Sequence, residues 1–270
     1  MTIELIEPEL EGLTYELVVA NDGNSPAVAT WLENKGIKHV YSTAQQGSYA
    51  MRNLGIAATT ASKILFMDAG VLPQPGWWKL VQDNINKARY IAFNINVLIP
   101  SNAGMFQQYS RYTEFTCQKY WDKHHFGPTA FLCVHRTVFV ELGAFDGSLQ
   151  SGGDFELGNR CWRSGLSMTF VHNDLIYHPS RTLAKKLTRN IRVIKGLRQL
   201  TLKYSGAENE IARVDWTELA LSPIRAVGSL MALPKSRARE LGWPLAKLFI
   251  AELGHQIVYY AALTVAIIRK

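Results

Sequence analysis

The chain has 270 residues, of which 47% are hydrophobic and 19% charged; this globular mixture excludes a disordered chain, a collagen-like repeat and a disulfide-knotted miniprotein. The net charge of +7 is uneven, with 13 Lys/Arg and 16 Asp/Glu in residues 1–180 against 16 and 6 in residues 181–270. The first two-thirds suit an enzyme-like body, and the last third seeks an anionic partner such as phosphate groups, anionic lipid or nucleic acid.

In chain order, Tyr15–Ala20 is a short apolar, β-branched run that reads as a buried strand, followed by the turn Asn21-Asp22-Gly23-Asn24. Pro26–Lys35 reads as a helix closed by Gly36, His39–Tyr41 as a strand and Ser48–Ala58 as a helix. Lys63–Met67 is a second buried strand with Asp68-Ala69-Gly70 at its carboxyl end, Pro75–Lys87 is helical, and Tyr90–Ile99 is strand-like. Strands alternating with helices imply an α/β domain with a largely parallel sheet. Ligands of such sheets lie beyond the carboxyl ends of the strands, where Asp22 and Asp68 stand.

Ser101–His125 reads as a covering segment. A short apolar stretch follows at Ala130–Val134, then a helix turn at Arg136–Leu142, a turn at Gly143–Gly147, a helix at Asp154–Ser164 and a strand at Ser167–Val171. A loop then leads to Tyr177-His178-Pro179. Residues 181–204 form a basic amphipathic helix, with Leu183, Leu187, Ile191, Ile194 and Leu197 on one stripe and Lys/Arg largely between them. The last segment contains the apolar run Ile257–Ile268, whose twelve residues make about 18 Å of helix against a bilayer core of roughly 30 Å. Docking at a membrane interface or packing on protein fits that length better than a full span. Cys117, Cys133 and Cys161 have no metal-ligand spacing, and the first ten residues carry three glutamates and no apolar core, so no signal peptide is read and a cytoplasmic compartment is expected.

Several segments occur in the order and spacing of a known pattern. Tyr15–Asn24 resembles the strand and Asp-Gly-Ser turn of family 2 glycosyltransferases, and Gln46–Gly55 (QGSYAMRNLG) is similar to their Gly-x-x-x-Ala-Arg-Asn-x-Gly segment. Ile64–Gly70 resembles the strand leading to the Asp-x-Asp motif, and Arg136–Asp146 the Arg-x-x-Phe-x-x-x-Gly-Gly-Phe-Asp segment. Ser151–Arg160 (SGGDFELGNR) resembles the Gly-Glu-Asp-x-x-Leu-x-x-Arg segment, and Tyr177-His178-Pro179 the late histidine. The resemblance covers about residues 13–200 and implies a GT-A fold: a mixed, mostly parallel sheet flanked by helices over residues 1–180, with 181–270 as a basic helical extension.

The resemblance implies an inverting, metal-assisted transfer of a sugar from a nucleotide-sugar donor to a hydroxyl of a glycan or lipid-linked acceptor. Such a reaction needs a base to take the acceptor's proton, and a carboxylate within hydrogen-bond reach does this. The aspartate of the Glu-Asp pair aligns with Asp154; a helix N-cap after Gly152-Gly153 suits the same residue. The departing diphosphate gathers negative charge, which a divalent cation on carboxylate oxygens neutralises. Asp68 and His178 are the expected ligands of Mg2+ or Mn2+, Asp22 the expected contact to the nucleoside, and Arg52 and Asn53 are expected to face the nucleotide. Arg181 is expected to close over the diphosphate, while the rest of the basic helix faces anionic lipid at the cytoplasmic side of a membrane, near 1 kcal/mol per cation.

Two positions depart from the pattern: the second acidic residue of Asp-x-Asp is Gly70, and the glutamate before the base is Gly153, for which Glu156 is a possible stand-in. The usual first strand and helix are not found among the 14 residues before Tyr15, so either part of the donor pocket is lacking or the true start lies upstream. These departures keep open a second reading, a degenerate, non-catalytic scaffold in a membrane polysaccharide assembly complex. No Gln-x-x-Arg-Trp motif is present, which favours transfer of single sugars, and the basic strip lacks the interleaved aromatics of a nucleic-acid surface. Trp77 and Trp78 read as core or docking residues, and Asp146, Arg160 and Trp162 as supports of the catalytic helix.

Overall fold

The structure is a computed structural model that describes residues 2–23, 25–204 and 235–268; Asn24 of the first turn and residues 205–234 of the basic extension lie outside the described residues. The chain divides into two compact units, residues 1–96 with 115–179, and residues 97–114 with 180–270. A single cut after residue 180 therefore needs one correction. Residues 97–114 belong with the C-terminal helices because Tyr109 and Glu114 make buried polar contacts to Glu252 and Lys186 there.

The first unit opens on a helix that the sequence pattern did not announce, α1 (Thr2–Leu10). Ile6 and Leu10, one turn apart, bury in the main core beside Val71, Trp77 and Val81. Strands β1 (Val18–Asp22) and β2 (Lys38–Ser42) pair in parallel around α2 (Pro26–Asn34), and α3 (Ser48–Ala57) follows. Then come β3 (Lys63–Met67), β4 (Leu72–Pro73), α4 (Trp77–Asn84) and β5 (Tyr90–Phe93). Glu9 of α1 caps α4, accepting from the backbone N–H groups of Gly76 at 2.5 Å and Trp78 at 3.0 Å, which places a carboxylate at a helix N-terminus.

The chain leaves this unit through β6 (Asn96–Leu98) and α5 (Met105–Gln108) and re-enters at Phe115. It continues as α6 (Cys117–His124), β7 (Phe131–His135), α7 (Arg136–Leu142), α8 (Gly153–Arg163), β8 (Met168–Val171) and β9 (Ile176–Pro179). The central sheet has the order β3-β7-β5-β8. It is mixed, with β5 and β8 parallel but β7 antiparallel to both β3 and β5, so the expectation of a mostly parallel sheet is corrected. All four residues of β5 and the first four of β7 are buried, as in a strand covered on both faces.

Helix α8 is fixed by a clamp. Arg160 holds Glu156 through Nε and Nη2 at 2.9 and 2.7 Å and donates to the carbonyls of Leu142, the last residue of α7, and of Gly143 and Ala144 after it. Glu156 is 3% exposed, so it neither faces solvent nor stands in for the missing motif glutamate; its carboxylate is spent on Arg160. The three cysteines are buried free thiols, each pushed up to about 12 by burial, and hence unreactive.

In the second unit α9 (Leu183–Lys203) packs Leu187, Ile191 and Ile194 against Tyr259 and Ala262 of the last helix. That helix, α11 (Leu245–Ile268), follows α10 (Lys235–Leu241) and buries Leu248 and Ala251 with Tyr109, Ala238 and Trp243. Glu114, 4% exposed, accepts from Arg181 at 2.8 Å and pairs with Lys186 at 3.1 Å. Burial raises its carboxyl, but the two cations outweigh burial and hold it below the ordinary range.

His255 lies beside Lys186 and donates from Nε2 to the Phe106 carbonyl at 3.2 Å. Burial and the Lys186 ammonium push its imidazole down to about 4, against the Phe106 carbonyl, Glu252 and Glu114.

Two outcomes follow from this packing. Glu156→Ala should cost about 2–3 kcal/mol in chemical unfolding, because it strands the partly buried Arg160 charge; a loss below 0.5 kcal/mol would show that the clamp is dispensable. The unfolded chain takes up a proton at His255 near pH 6.5, and the folded one only near 4. The stability His255 contributes is therefore complete above pH 6.5 and declines by about 3 kcal/mol as pH falls toward 4. Amide exchange in α9 and α11 at pH 7 and 4.5 reads that decline, and His255→Gln should flatten it; an equal slope in both proteins refutes the assignment.

Candidate active site

The site is built on α3. Asp22, at the carboxyl end of β1, accepts from the backbone N–H groups of Gln46 at 2.8 Å and Gly47 at 3.0 Å. This fixes the loop that starts α3, where Gly47 has a φ of 93°, open to glycine at little cost. Both carboxylate oxygens thus serve the protein backbone. Any nucleoside contact by Asp22 would use their remaining lone pairs.

Tyr49, Arg52 and Asn53 lie at i, i+3 and i+4 of α3 and share one face. Asn53 holds both backbone groups of Phe145, donating to its carbonyl at 2.8 Å and accepting from its N–H at 3.0 Å. The expectation that Asn53 faces a nucleotide is corrected: its amide locks the Gly143–Asp146 turn to α3, while Asp146 accepts from the N–H and hydroxyl of Ser148. Arg52 donates to Asp68 Oδ1 at 2.6 Å, at the carboxyl end of β3, and its guanidinium lies 5.5 Å from the centre of the Tyr49 ring. The Tyr49 hydroxyl donates to Asp154 Oδ1 at 3.2 Å.

Asp154 is not the helix cap. Gly152, with φ 86°, is the N-cap of α8, and Asp154 sits inside the first turn with Oδ1 also accepting from Phe155 N–H at 3.0 Å. Burial lifts the Asp154 carboxyl above its ordinary range, against Arg52, the Phe155 N–H and the Tyr49 hydroxyl. A carboxylate so placed is a stronger proton acceptor than one in water.

The two departures from the motif are explained by aromatic rings. A Cβ at Gly70 would lie 3.2 Å from His178 Nε2, and a Cβ at Gly153 would lie 2.8–2.9 Å from three ring carbons of Tyr49. The His178 ring packs on Phe115 at 4.8 Å between centres, and its Nδ1 is 2.8 Å from the Pro179 carbonyl. The partner is a carbonyl, so Nδ1 is the donor in that bond, and Nε2 is the ring nitrogen on the side of Gly70.

Among the described residues no three His, Cys, Asp or Glu side chains converge. Asp68 stands two residues before Gly70 in the chain and the His178 ring packs against Gly70, so a carboxylate and an imidazole, residue types that bind divalent ions, are the candidates here. Arg181 is held by Glu114 within the second unit. Trp77 is 2% exposed in the core, and Trp162 stacks on His125 at 3.8 Å. Tyr49 was not singled out in the sequence; its only local sign was its place inside the Gly-x-x-x-Ala-Arg-Asn-like segment.

The chain matches the sequence profile described as Glycosyl transferase family 2 over residues 3–143. It is 28% identical over 195 residues to glycosyltransferase AglE of Haloferax volcanii, covering 67% of this chain and 62% of that protein. It is 24% identical over 160 residues to the pre-mycofactocin glycosyltransferase of Mycobacterium tuberculosis, covering 51% of this chain and 31% of the relative. The chain therefore spans about three-fifths and one-third of the lengths of these relatives.

Among solved structures it resembles GalNAc-T7 with UDP, GalNAc and Mn2+ (TM-score 0.50, 17% identity, 90% of this chain and 51% of that one). It also resembles glucosyl-3-phosphoglycerate synthase from Mycobacterium tuberculosis with Mn2+, UDP and glucosyl-3-phosphoglycerate (TM-score 0.50, 16% identity, 74% of each chain). At these identities the likeness establishes the fold, which is GT-A. With more than half of its length matched, the chain belongs to glycosyl transferase family 2.

Proposed function

We propose that this chain is an inverting glycosyltransferase that moves one sugar from a nucleotide donor to a hydroxyl of a glycan or lipid-linked acceptor. One observation carries the reading: Arg52 and Tyr49, one turn apart on α3, link Asp68 to Asp154 within a single unit. The residue suited to the diphosphate and the residue suited to the acceptor thus share one cluster.

In this reading Asp154 takes the proton of the acceptor hydroxyl as that oxygen attacks the anomeric carbon and the bond to the diphosphate breaks. Arg52 brings positive charge beside the departing diphosphate, and Asp22 meets the nucleoside. A Mg2+ or Mn2+ ion, when bound by Asp68 and His178, neutralises the charge gathering on that leaving group. The scaffold alternative loses one of its supports, because the space at Gly70 and Gly153 is filled by the rings of His178 and Tyr49 rather than left as gaps.

The second unit is proposed to rest on an anionic membrane surface. Helix α9 carries seven Lys/Arg and no Asp/Glu. On α11 the exposed Leu245, Phe249, Leu253 and Ile257 recur every four residues with Ile250 beside them. Among the described residues no helix is long and apolar enough to cross a membrane.

Asp154→Asn should bind UDP with Mn2+ in calorimetry as the parent does and lose transfer by about a thousandfold; turnover at the parental rate removes Asp154 as base, and no UDP binding by the folded parent favours the scaffold. The parent should sediment with phosphatidylcholine vesicles containing 30% phosphatidylglycerol but not with pure phosphatidylcholine, and Leu253→Asp with Ile257→Asp should weaken this about tenfold or more. Equal recovery with both vesicle types rejects the membrane surface.

A further inference from the structure

We propose that Tyr49 is a positioning residue for Asp154, its ring taking the space of the family's motif glutamate and its hydroxyl holding the base. The inference deepens the proposed function and rests on Asp154 being the base.

Three observations support it. The Tyr49 hydroxyl reaches Asp154 Oδ1 at 3.2 Å across 105 residues of sequence. The Tyr49 ring lies flat against Gly153, where any side chain would sit 2.8–2.9 Å from ring carbons; a tyrosine at 49 and a glutamate at 153 therefore exclude each other. The ring is itself fixed, 5% exposed, 5.7 Å from the Phe145 ring and 5.5 Å from the Arg52 guanidinium. A phenol held this way defines where the carboxylate points.

The chemistry of the contact is specific. Burial and the neighbouring Asp154 charge raise the Tyr49 phenol well above its ordinary range, so it stays protonated and acts as a donor. Its bond and that of the Phe155 N–H both fall on Oδ1. Oδ2 is then the oxygen that receives the acceptor's proton. The groups that bear on the Asp154 charge are Arg52 and Tyr49, and the buried Tyr90 and Cys117 also feel it. Of the hydroxyls among these, Tyr49 is the one bonded to the carboxylate.

Tyr49→Phe keeps the ring against Gly153 and deletes the bond. A hydrogen bond to the ionised form favours that form, so its loss should raise the Asp154 titration midpoint. The 13C carboxyl signal of Asp154, identified by its absence in Asp154→Asn, should titrate about one pH unit higher in Tyr49→Phe, a tenfold change in proton affinity. With UDP-glucose and Mn2+ as probe, kcat should fall about tenfold with the donor KM unchanged and the acidic limb of the kcat profile moved upward. An unchanged midpoint overturns the inference.

An exchange of side chains tests the shared space. Gly153→Glu alone should lower the melting temperature, and Gly153→Glu with Tyr49→Ala should restore it; a stable single variant overturns the claim of mutual exclusion. If Asp154→Asn retains parental turnover while the midpoint still moves in Tyr49→Phe, the base assignment fails and the positioning contact stands. If Asp154→Asn is inactive and Tyr49→Phe is unchanged in every readout, the base stands and the inference fails.

Discussion

The site depends on how rigidly one ten-residue helix is held. Helix α3 is tied at its start by Asp22, along its face by Arg52 to Asp68, and toward its end by Asn53 to the backbone of Phe145. Each bond reaches a different part of the unit, from the end of β1 to the end of β3 and the turn after α7. A helix this short is marginal by itself in water. Its geometry is set by these long-range contacts, and the placement of Tyr49 against Asp154 is inherited from them. Charge-assisted bonds such as Arg52 to Asp68 are the stronger members of the set.

The pair of glycines shows how a motif can be broken in one dimension and whole in three. In sequence, Gly70 and Gly153 look like lost carboxylates. In the structure each is the bare spot on which an aromatic ring rests, His178 on one and Tyr49 on the other. A side chain at 153 would force the Tyr49 ring to move, whereas one at 70 would need the His178 ring to give by a few tenths of an ångström. The glycine at 153 and the Tyr49 ring beside it therefore form one unit of design, and at position 70 the His178 Nε2 atom lies 3.2 Å from where a Cβ would stand.

Where local pattern decided the outcome, the fold could be read from the chain. Lys63–Met67 is a strand and Arg136–Leu142 a helix with the boundaries that hydrophobic runs and turn residues imply. Errors occur where a distant partner decides. The strand from Tyr90 ends at Phe93: the Asn94 N–H still bonds the Val171 carbonyl at 2.9 Å, but the Asn94 carbonyl accepts from the Asn173 side chain and its own side chain donates to Asn96. β1 begins later than its apolar run and continues through polar Asn21 and Asp22, because those residues pair with Tyr41 and Ser42. Helix α1 was hidden behind its glutamates until Glu9 met the N–H groups of Gly76 and Trp78, 67 and 69 residues away. Asp68 and Asp154 stand out from motif spacing, and the structure ties both to α3, through Arg52 and Tyr49. Tyr49 was not, since nothing local distinguishes a tyrosine that packs from one that holds a base.

The basic helix illustrates why counting charges overstates what a surface sees. Read as sequence, α9 offers seven cations to an anionic partner. In the structure Lys186 is 5% exposed and committed to Glu114, and the nearby Arg181 is committed to the same carboxylate. Removing either cation would leave a buried carboxylate short of compensation, so both are needed where they are. Lys185, Arg192 and Lys203 are the exposed cations of the helix, and Arg189, Lys195 and Arg198 are partly covered. At about 1 kcal/mol for each cation near a charged lipid surface, electrostatics alone then gives a weak, salt-sensitive attraction. The apolar face of α11 would have to supply the rest of the hold on lipid. Its exposed leucines and isoleucines each offer on the order of 1–2 kcal/mol when half their area leaves water.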